Sequence, residues 1–584
     1  MSGNRVCDDP PGLEGLPDEN RDLLAPGKTL EIVLAPPLSM ADNRETVAAM
    51  TRRRTMHAAQ AMAGALAILI IGFGGAGRVM AGSASTVQAM DGPVQGSTGN
   101  GVTAYLGIPY AAAPVEDLRW RAPRPHARWT TVLHADHYGR DCIQNGDPRP
   151  TSEDCLYLNL WAPKDARPVE EGAHRGRLPV MVFIHGGGFN IGSGAEPWYR
   201  GSSFARRGVV LVTFNFRLGR FGFFAHPAIA RQTPGEPLGN YQCLDQIAAL
   251  EWVKRNVARF GGDPDNVTIF GESSGGSSVT LLMASPAARG LFQKAIIESG
   301  VREYQMNTLA QAQADGKAVA ESWGVRGEDA AAGAALRRVP AQVVLGKAKL
   351  GFGGAGPMID GAIIREDPLA AFREGHMPRI ALILGTNSYE AGSFLGLARG
   401  LSERMASVWP RVVRLYDGYG THRTPLIEAE LLTDMLTAGP TRIVAREAAQ
   451  SGLPTYLYQY DYLRPSERGR IPGPVHTDEL YAVFGTMNVA ERPVTADMRK
   501  ISDEVESGWV EFARTARPTA DASAWPATRA HTDEVLEFTQ SGPIVRENLH
   551  SDRIDFTESL PPLPARAPRT AGHGGGTASQ GGAR

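Results

Sequence analysis

The segment that most restricts the fold is Asn266-Val-Thr-Ile-Phe270, which leads into Gly271-Glu-Ser273-Ser-Gly275 and then into the helical stretch Ser277–Ala284. An apolar strand, a Gly-x-Ser-x-Gly turn and a helix in immediate succession demand that the chain leave the end of a sheet strand and double back over the sheet. A twisted sheet with helices packed on its faces accommodates that path. Glycines on either side of Ser273 let strand and helix approach closely, and the serine between them is forced into a strained turn. Its hydroxyl is then presented at the sheet's C-terminal edge, beside a helix N-terminus that favours developing negative charge. Ser273 is therefore the candidate nucleophile. The five-residue pattern alone is weak in a chain with 67 glycines, and a Gly-rich structural turn is the competing reading. The strand before it and the helix after it favour the nucleophile.

The rest of the chain fits that frame. Strands are predicted at Val180–Ile184, Val209–Asn215, Lys294–Glu298, Ile380–Leu384 and Thr455–Tyr462, with an amphipathic helix over Leu244–Phe260. Strands alternating with helices predict an α/β fold with a mostly parallel sheet covered on both faces, one catalytic domain spanning 85–560. Residues 561–584 are rich in Pro, Gly and Ala and read as a disordered tail. Arg52–Arg54, the apolar stretch Ala61–Gly77 and the small residues around Ala81 and Ala84 have the order of a secretory signal over 50–84. Glycines interrupt that stretch, which is also short of the ~20 apolar residues of a membrane span. The acidic, Pro-rich segment 1–49 ahead of it reads as a non-native or disordered extension. The expected location is secreted or periplasmic. A net charge of −2 gives no case for a nucleic-acid or anionic-membrane partner. The four cysteines, Cys7, Cys142, Cys155 and Cys243, have no metal-site spacing, so no metal is expected.

Val180-Met-Val-Phe-Ile184 opens into His185-Gly-Gly-Gly-Phe189. Consecutive glycines after a strand leave backbone N–H groups uncovered, and such donors can face an ester oxygen as it becomes an oxyanion. Gly187 and Gly188 are the candidates, with the N–H of Ser274 as a third. The ending Phe189-Asn190 does not fit a phosphate-binding loop. In this architecture an acid and then a histidine follow the serine. His476 lies in a Gly-Pro-Val-His loop after the aromatic strand, where a strand end delivers side chains to the catalytic edge. Glu390 lies past the strand that ends in Gly385. It reads equally well as an acid orienting a histidine and as a local cap, because Asn387 and Glu390 have N-cap-to-N3 spacing.

Taken together these segments resemble the type-B carboxylesterase family, which includes bacterial esterases and the cholinesterases. The resemblance extends from about Val87 to Phe538. It is carried by Gly107-Ile-Pro-Tyr110, Leu118-Arg-Trp120, Ser152-Glu-Asp-Cys-Leu-Tyr-Leu-Asn159, His185-Gly-Gly-Gly-Phe189, Phe260-Gly-Gly-Asp-Pro264, Phe270-Gly-Glu-Ser-Ser-Gly-Gly276, Gly385-Thr-Asn-Ser-Tyr-Glu390, His476-Thr-Asp-Glu479 and Phe484-Gly485. It implies an α/β-hydrolase fold, Glu390 as the triad acid, His476 as the base, and no cofactor. It also implies a Cys142–Cys155 disulfide, ion pairs Arg119–Glu153 and Arg217–Asp245, and support of the triad by Glu272, Ser299 and Glu479. The chain departs from the family at Ser274, where alanine is usual, and at Ala391, an additional residue before Gly392. The segment between Cys142 and Cys155 has no tryptophan, which argues against a choline-ester specialist.

The resulting expectation is a carboxylic ester hydrolase acting on small to medium soluble esters through a Ser-His-Glu triad and an acyl-enzyme. The alternatives are a catalytically silent, cholinesterase-like binding protein and a same-fold hydrolase of an amide, lactone or toxin ester.

Overall fold

The computed structural model describes residues 85–168, 176–301, 306–346, 355–417, 420, 423–529 and 532–560. The expected extension at 1–49, signal at 50–84 and tail at 561–584 lie outside the described residues. The frame is a 13-stranded sheet. In chain order its strands are β1 (Ser85–Gln88), β2 (Pro93–Gly99), β3 (Val102–Pro109), β4 (Leu133–His134), β5 (Tyr157–Pro163), β6 (Leu178–Ile184) and β7 (Val210–Phe214). They continue as β8 (Gly262–Glu272), β9 (Lys294–Glu298), β10 (Ala381–Asn387), β11 (Thr455–Tyr460), β12 (Glu534–Thr539) and β13 (Gly542–Glu547). The spatial order is β1-β2-β3-β5-β7-β6-β8-β9-β10-β11-β12-β13, with β4 against β2. From β7 to β12 every pairing is parallel, and antiparallel strands flank that core on both sides.

The parallel strands are apolar almost without interruption because both faces are covered. In β6, Val180, Val182 and Ile184 enter one core, while Met181 and Phe183 enter the core on the opposite face. Each such fully buried side chain contributes about 1.5–3 kcal/mol of transfer free energy. The chain leaves β6 for β7 on one side and later returns to β8 on the other. In open α/β sheets ligands bind at the strands' C-terminal ends where the strand order reverses in this way.

The helix α1 (Tyr241–Asn256) starts three residues before its expected position and ends earlier, giving way to a 3₁₀ turn at Val257–Phe260 that Gly261 terminates at φ 85°. It is not amphipathic in the expected sense, because polar residues such as Asp245, Gln246 and Asn256 are buried along with the apolar ones. Asp245 tolerates this by pairing with Arg217 through two bonds of 2.7 and 2.6 Å, since buried charges require partners. Cys142 and Cys155 form a disulfide with a Cα separation of 5.0 Å. Arg119 pairs with Glu153 through both carboxylate oxygens. Among the described residues no helix is long and apolar enough to cross a membrane.

Candidate active site

Strand β8 carries straight through Glu272, and the helix α2 (Ser274–Ala284) begins one residue after Ser273. The turn is thus a single residue, tighter than the helix start at Ser277 that the sequence suggested. Ser273 sits at φ 57°, ψ −125°, a conformation that persists only when its surroundings over-determine it. Its N–H donates to the Glu298 carbonyl at 2.9 Å. A Cβ on Gly275 would meet the Ile184 carbonyl oxygen at 1.9 Å, and one on Gly271 would meet the Gly275 carbonyl carbon at 2.6 Å. Side chains at these positions would push the helix off the strand and undo the turn.

Strands β10 and β11 are parallel neighbours, with Asn387 paired to Tyr460, so the loops beyond them emerge side by side. The first supplies Glu390 and the second His476. Tyr389 N–H donates to the Pro474 carbonyl at 3.1 Å, tying one loop to the other. Asp478 accepts from Val475 N–H at 2.8 Å and pairs with Arg464 at 3.0 Å, which closes the turn that carries His476. His476 Nε2 lies 2.8 Å from Ser273 Oγ, and its Nδ1 lies 2.5 Å from Glu390 Oε2. All three side chains are buried.

Glu390 makes the contacts of both readings that the sequence left open. Its Oε1 accepts from Asn387 N–H at 2.8 Å, the local cap, and from the Ser299 hydroxyl, while Oε2 faces His476. Burial pushes this carboxyl up, but the charge of His476 and the hydrogen bonds from His476, Ser299 and Asn387 outweigh it and hold Glu390 below the usual carboxylate range. The expected supporting residues stand at three different distances from the chemistry. Ser299 touches Glu390, and Glu272 Oε1 lies 3.1 Å from His476 Nε2. Glu479 is linked to Glu390 through Asn387, whose side chain donates to it at 2.5 Å. Burial first, and then the nearby Glu390 and Glu298, push the Glu479 carboxyl well up.

The glycine loop after β6 lies against Ser273: a Cβ on Gly186 would come within 3.1 Å of Ser273 Cβ. Gly187 and Gly188 have φ 109° and 61°, and a Cβ on Gly187 would meet the Ile191 carbonyl oxygen at 2.1 Å. No protein acceptor takes the N–H of either glycine among the described residues. Ser274 occupies the first position of α2, where helix N–H groups have no intrahelical partner. The Ser274 hydroxyl, the departure from alanine, accepts from Phe189 N–H at 3.1 Å and so ties the glycine loop to the helix α2.

Sequence reasoning missed several neighbours. The Phe394 ring is centred 5.0 Å from that of His476. Ala391, the additional residue, is buried, and its N–H donates to Thr433 Oγ1 at 3.1 Å, where the helix Thr424–Thr433 passes into a π-turn. Glu298 accepts from Trp509 Nε1 at 2.5 Å beneath the site. Gln144 and Arg149 reach under the glycine loop from the disulfide segment. Ala391 had stood out as the additional residue before Gly392, and Gln144 carried a signal in its place two residues after Cys142.

The Carboxylesterase family profile matches residues 83–407 and 422–557. The chain is 34% identical over 466 residues to a fumonisin B1 esterase of Sphingopyxis macrogoltabida, covering 75% of this chain and 84% of the relative. It is 36% identical over 494 residues to a para-nitrobenzyl esterase of Bacillus subtilis, covering 77% of this chain and 94% of the relative. Among solved structures, a carboxylesterase of Geobacillus stearothermophilus superposes with a TM-score of 0.69 at 31% identity, covering 80% of this chain and 98% of that one.

Proposed function

The chain belongs to the carboxylesterase family and is a serine carboxylesterase, and from that premise we propose that Ser273, His476 and Glu390 hydrolyse esters by way of an acyl-enzyme. The observation that carries this reading is the unbroken relay from Ser273 Oγ to His476 at 2.8 Å and from His476 to Glu390 at 2.5 Å. His476 Nε2 takes the Ser273 proton as Oγ attacks the ester carbonyl carbon. Glu390 fixes the ring with Nδ1–H toward Oε2 and stabilises the imidazolium that forms. The oxyanion of the tetrahedral intermediate is received by the N–H groups of Gly187, Gly188 and Ser274. His476 then passes the proton to the departing alcohol, and the remaining acyl group is carried as an ester of Ser273. A water, deprotonated by His476, attacks that ester and releases the acid, returning the proton to Ser273.

The substrates of this reading are small to medium esters in solution. The short disulfide loop is anchored to the body, Arg149 donating to the Ala195 carbonyl at 3.1 Å and pairing with Glu196 at 2.8 Å, which leaves little chain for a mobile cover. Similarity to an enzyme named fumonisin B1 esterase makes a toxin ester the second reading. The Cys142–Cys155 bond supports an oxidising compartment, and with it export directed by residues 50–84.

Ser273→Ala tests the mechanism. It should lower kcat on the order of 10⁶-fold and abolish covalent labelling by an organophosphate, with the thermal melt unchanged. Near-normal turnover in this variant would overturn the mechanism, and a wild-type protein that does not label would instead support a silent binding protein. A panel of esters graded in acyl length, with fumonisin B1 included, separates the two substrate readings.

A further inference from the structure

The N–H donors of Gly187 and Gly188 act only if their peptide planes are aimed, and the loop that carries them has little intrinsic preference for its shape. Gly187, Gly188, Phe189 and Gly192 all have positive φ, at 109°, 61°, 65° and 112°. The turn is closed by Asn190 N–H and Ile191 N–H, which both donate to the Gly187 carbonyl at 3.1 Å. A Cβ on Gly192 would lie 2.5 Å from His185 Nδ1 and 2.6 Å from the Gly186 carbonyl oxygen. The far end of the loop is therefore folded back directly beneath its start, and whatever fixes the Gly192 peptide fixes the position of Gly186–Gly188.

Gln144 fixes it. Its Oε1 accepts from Gly192 N–H at 2.7 Å and its Nε2 donates to the Gly192 carbonyl at 2.9 Å. One side-chain amide thus pairs with both polar groups of one residue, as a rung of β-sheet would. The side chain is buried and is steadied by a further bond of 3.3 Å from Nε2 to the Cys142 carbonyl. Its segment is cross-linked at Cys142–Cys155, and the chain just after Gly192 is gripped by the same segment. There Asp141 accepts from the Ser193 hydroxyl, and Arg149 donates to the Ala195 carbonyl.

We propose that Gln144 is a positioning residue for ester hydrolysis: through the Gly192 peptide it aims the oxyanion donors, so that the disulfide segment is a brace for the transition state. This rests on the proposed role of Gly187 and Gly188. Gln144 touches no reacting atom, so its loss misaims donors without removing them. The effect should stay below the ~10²–10³-fold cost of deleting a donor outright and should resemble that of a small misplacement.

The test uses the full chain with its disulfide intact. Gln144→Ala is compared with wild type for kcat, KM, thermal melt and the inhibition constant of a trifluoromethyl ketone, whose hemiketal adduct places an oxyanion in the same position as the substrate's. Expected are a fall in kcat of about 10- to 100-fold, KM within about threefold, and a parallel weakening of the ketone. The pH profile of kcat/KM should keep its shape, because the Ser273–His476–Glu390 relay is untouched. Should Gln144→Ala fail to accumulate as folded protein, Gln144→Glu supplies the same comparison at nearly constant volume. Its carboxylate still accepts from Gly192 N–H but opposes the Gly192 carbonyl. Unchanged kcat and unchanged ketone affinity in a folded variant would overturn the proposal, as would a loss confined to KM or to the melting temperature. A wild-type enzyme that forms no hemiketal on Ser273 would sink the triad reading itself, a result distinct from either.

Discussion

Replacing Glu390 by glutamine separates the two roles of that carboxylate. The substitution keeps the size and removes the charge, and its amide group has two orientations. If the NH2 takes the place of Oε1, it faces two donors, Asn387 N–H at 2.8 Å and the Ser299 hydroxyl. The Ser299 hydroxyl must then turn to accept from the NH2, and Asn387 N–H is left unpaired at roughly 1–3 kcal/mol. If the NH2 takes the place of Oε2, both of those donors keep the amide oxygen, and the NH2 donates to His476 Nδ1 instead. The second orientation therefore wins. It forces His476 into the tautomer with its proton on Nε2, facing Ser273 Oγ, which cannot then lose its proton to the ring. By analogy with the same exchange in another triad, kcat should fall about 10⁴-fold, roughly 5 kcal/mol of transition-state stabilisation. The fold keeps its local cap, so the thermal melt should move little. Steady-state kinetics and calorimetry on one preparation measure both quantities. Turnover within tenfold of wild type, or a loss matched by partial unfolding, would refute this assignment of Glu390.

Three further expectations follow from particular residues. Burial pushes the Glu298 carboxyl up from 4.5 to about 8, partly offset by its bond to Trp509, so between those pH values the folded chain holds a proton that the unfolded chain has released, and stability falls as pH rises through that window. Glu298→Gln should flatten the slope, stabilising the protein above pH 8 by up to about 5 kcal/mol less the roughly 1–3 kcal/mol of an unpaired NH2; parallel slopes of chemical denaturation against pH in the two proteins would count against it. Cys142 and Cys155 are 13 positions apart, too short a loop for an opening helical lid, so the rate with a sparingly soluble ester should saturate smoothly below its solubility limit, and a sharp rise only when droplets appear would contradict this. N-terminal sequencing of exported protein should find a start between about Gly82 and Val87, and a mature chain that retains Arg52–Arg54 would exclude the proposed processing.

The sequence by itself determined the parts whose physics is local. A strand, a Gly-x-Ser-x-Gly turn and a helix can be joined in few ways, so Ser273 and its place at a sheet edge were legible before any fold was known, and so was the glycine loop after Val180–Ile184. The buried polar character of the helix at Tyr241–Asn256 was not legible in the helix's own residues; the Arg217–Asp245 pair came only through the family resemblance, because Arg217 reaches Asp245 from the loop after β7. For Glu390 the local signal was ambiguous for a physical reason: one oxygen makes the local cap and the other faces a histidine 86 residues away. Only the parallel pairing of β10 with β11 brings those two loops together. The brace under the oxyanion donors belongs to tertiary structure for the same reason. A glutamine carries no sign of its partner, and Gln144 meets Gly192 across 48 residues because a sheet, a disulfide and a folded-back loop converge there.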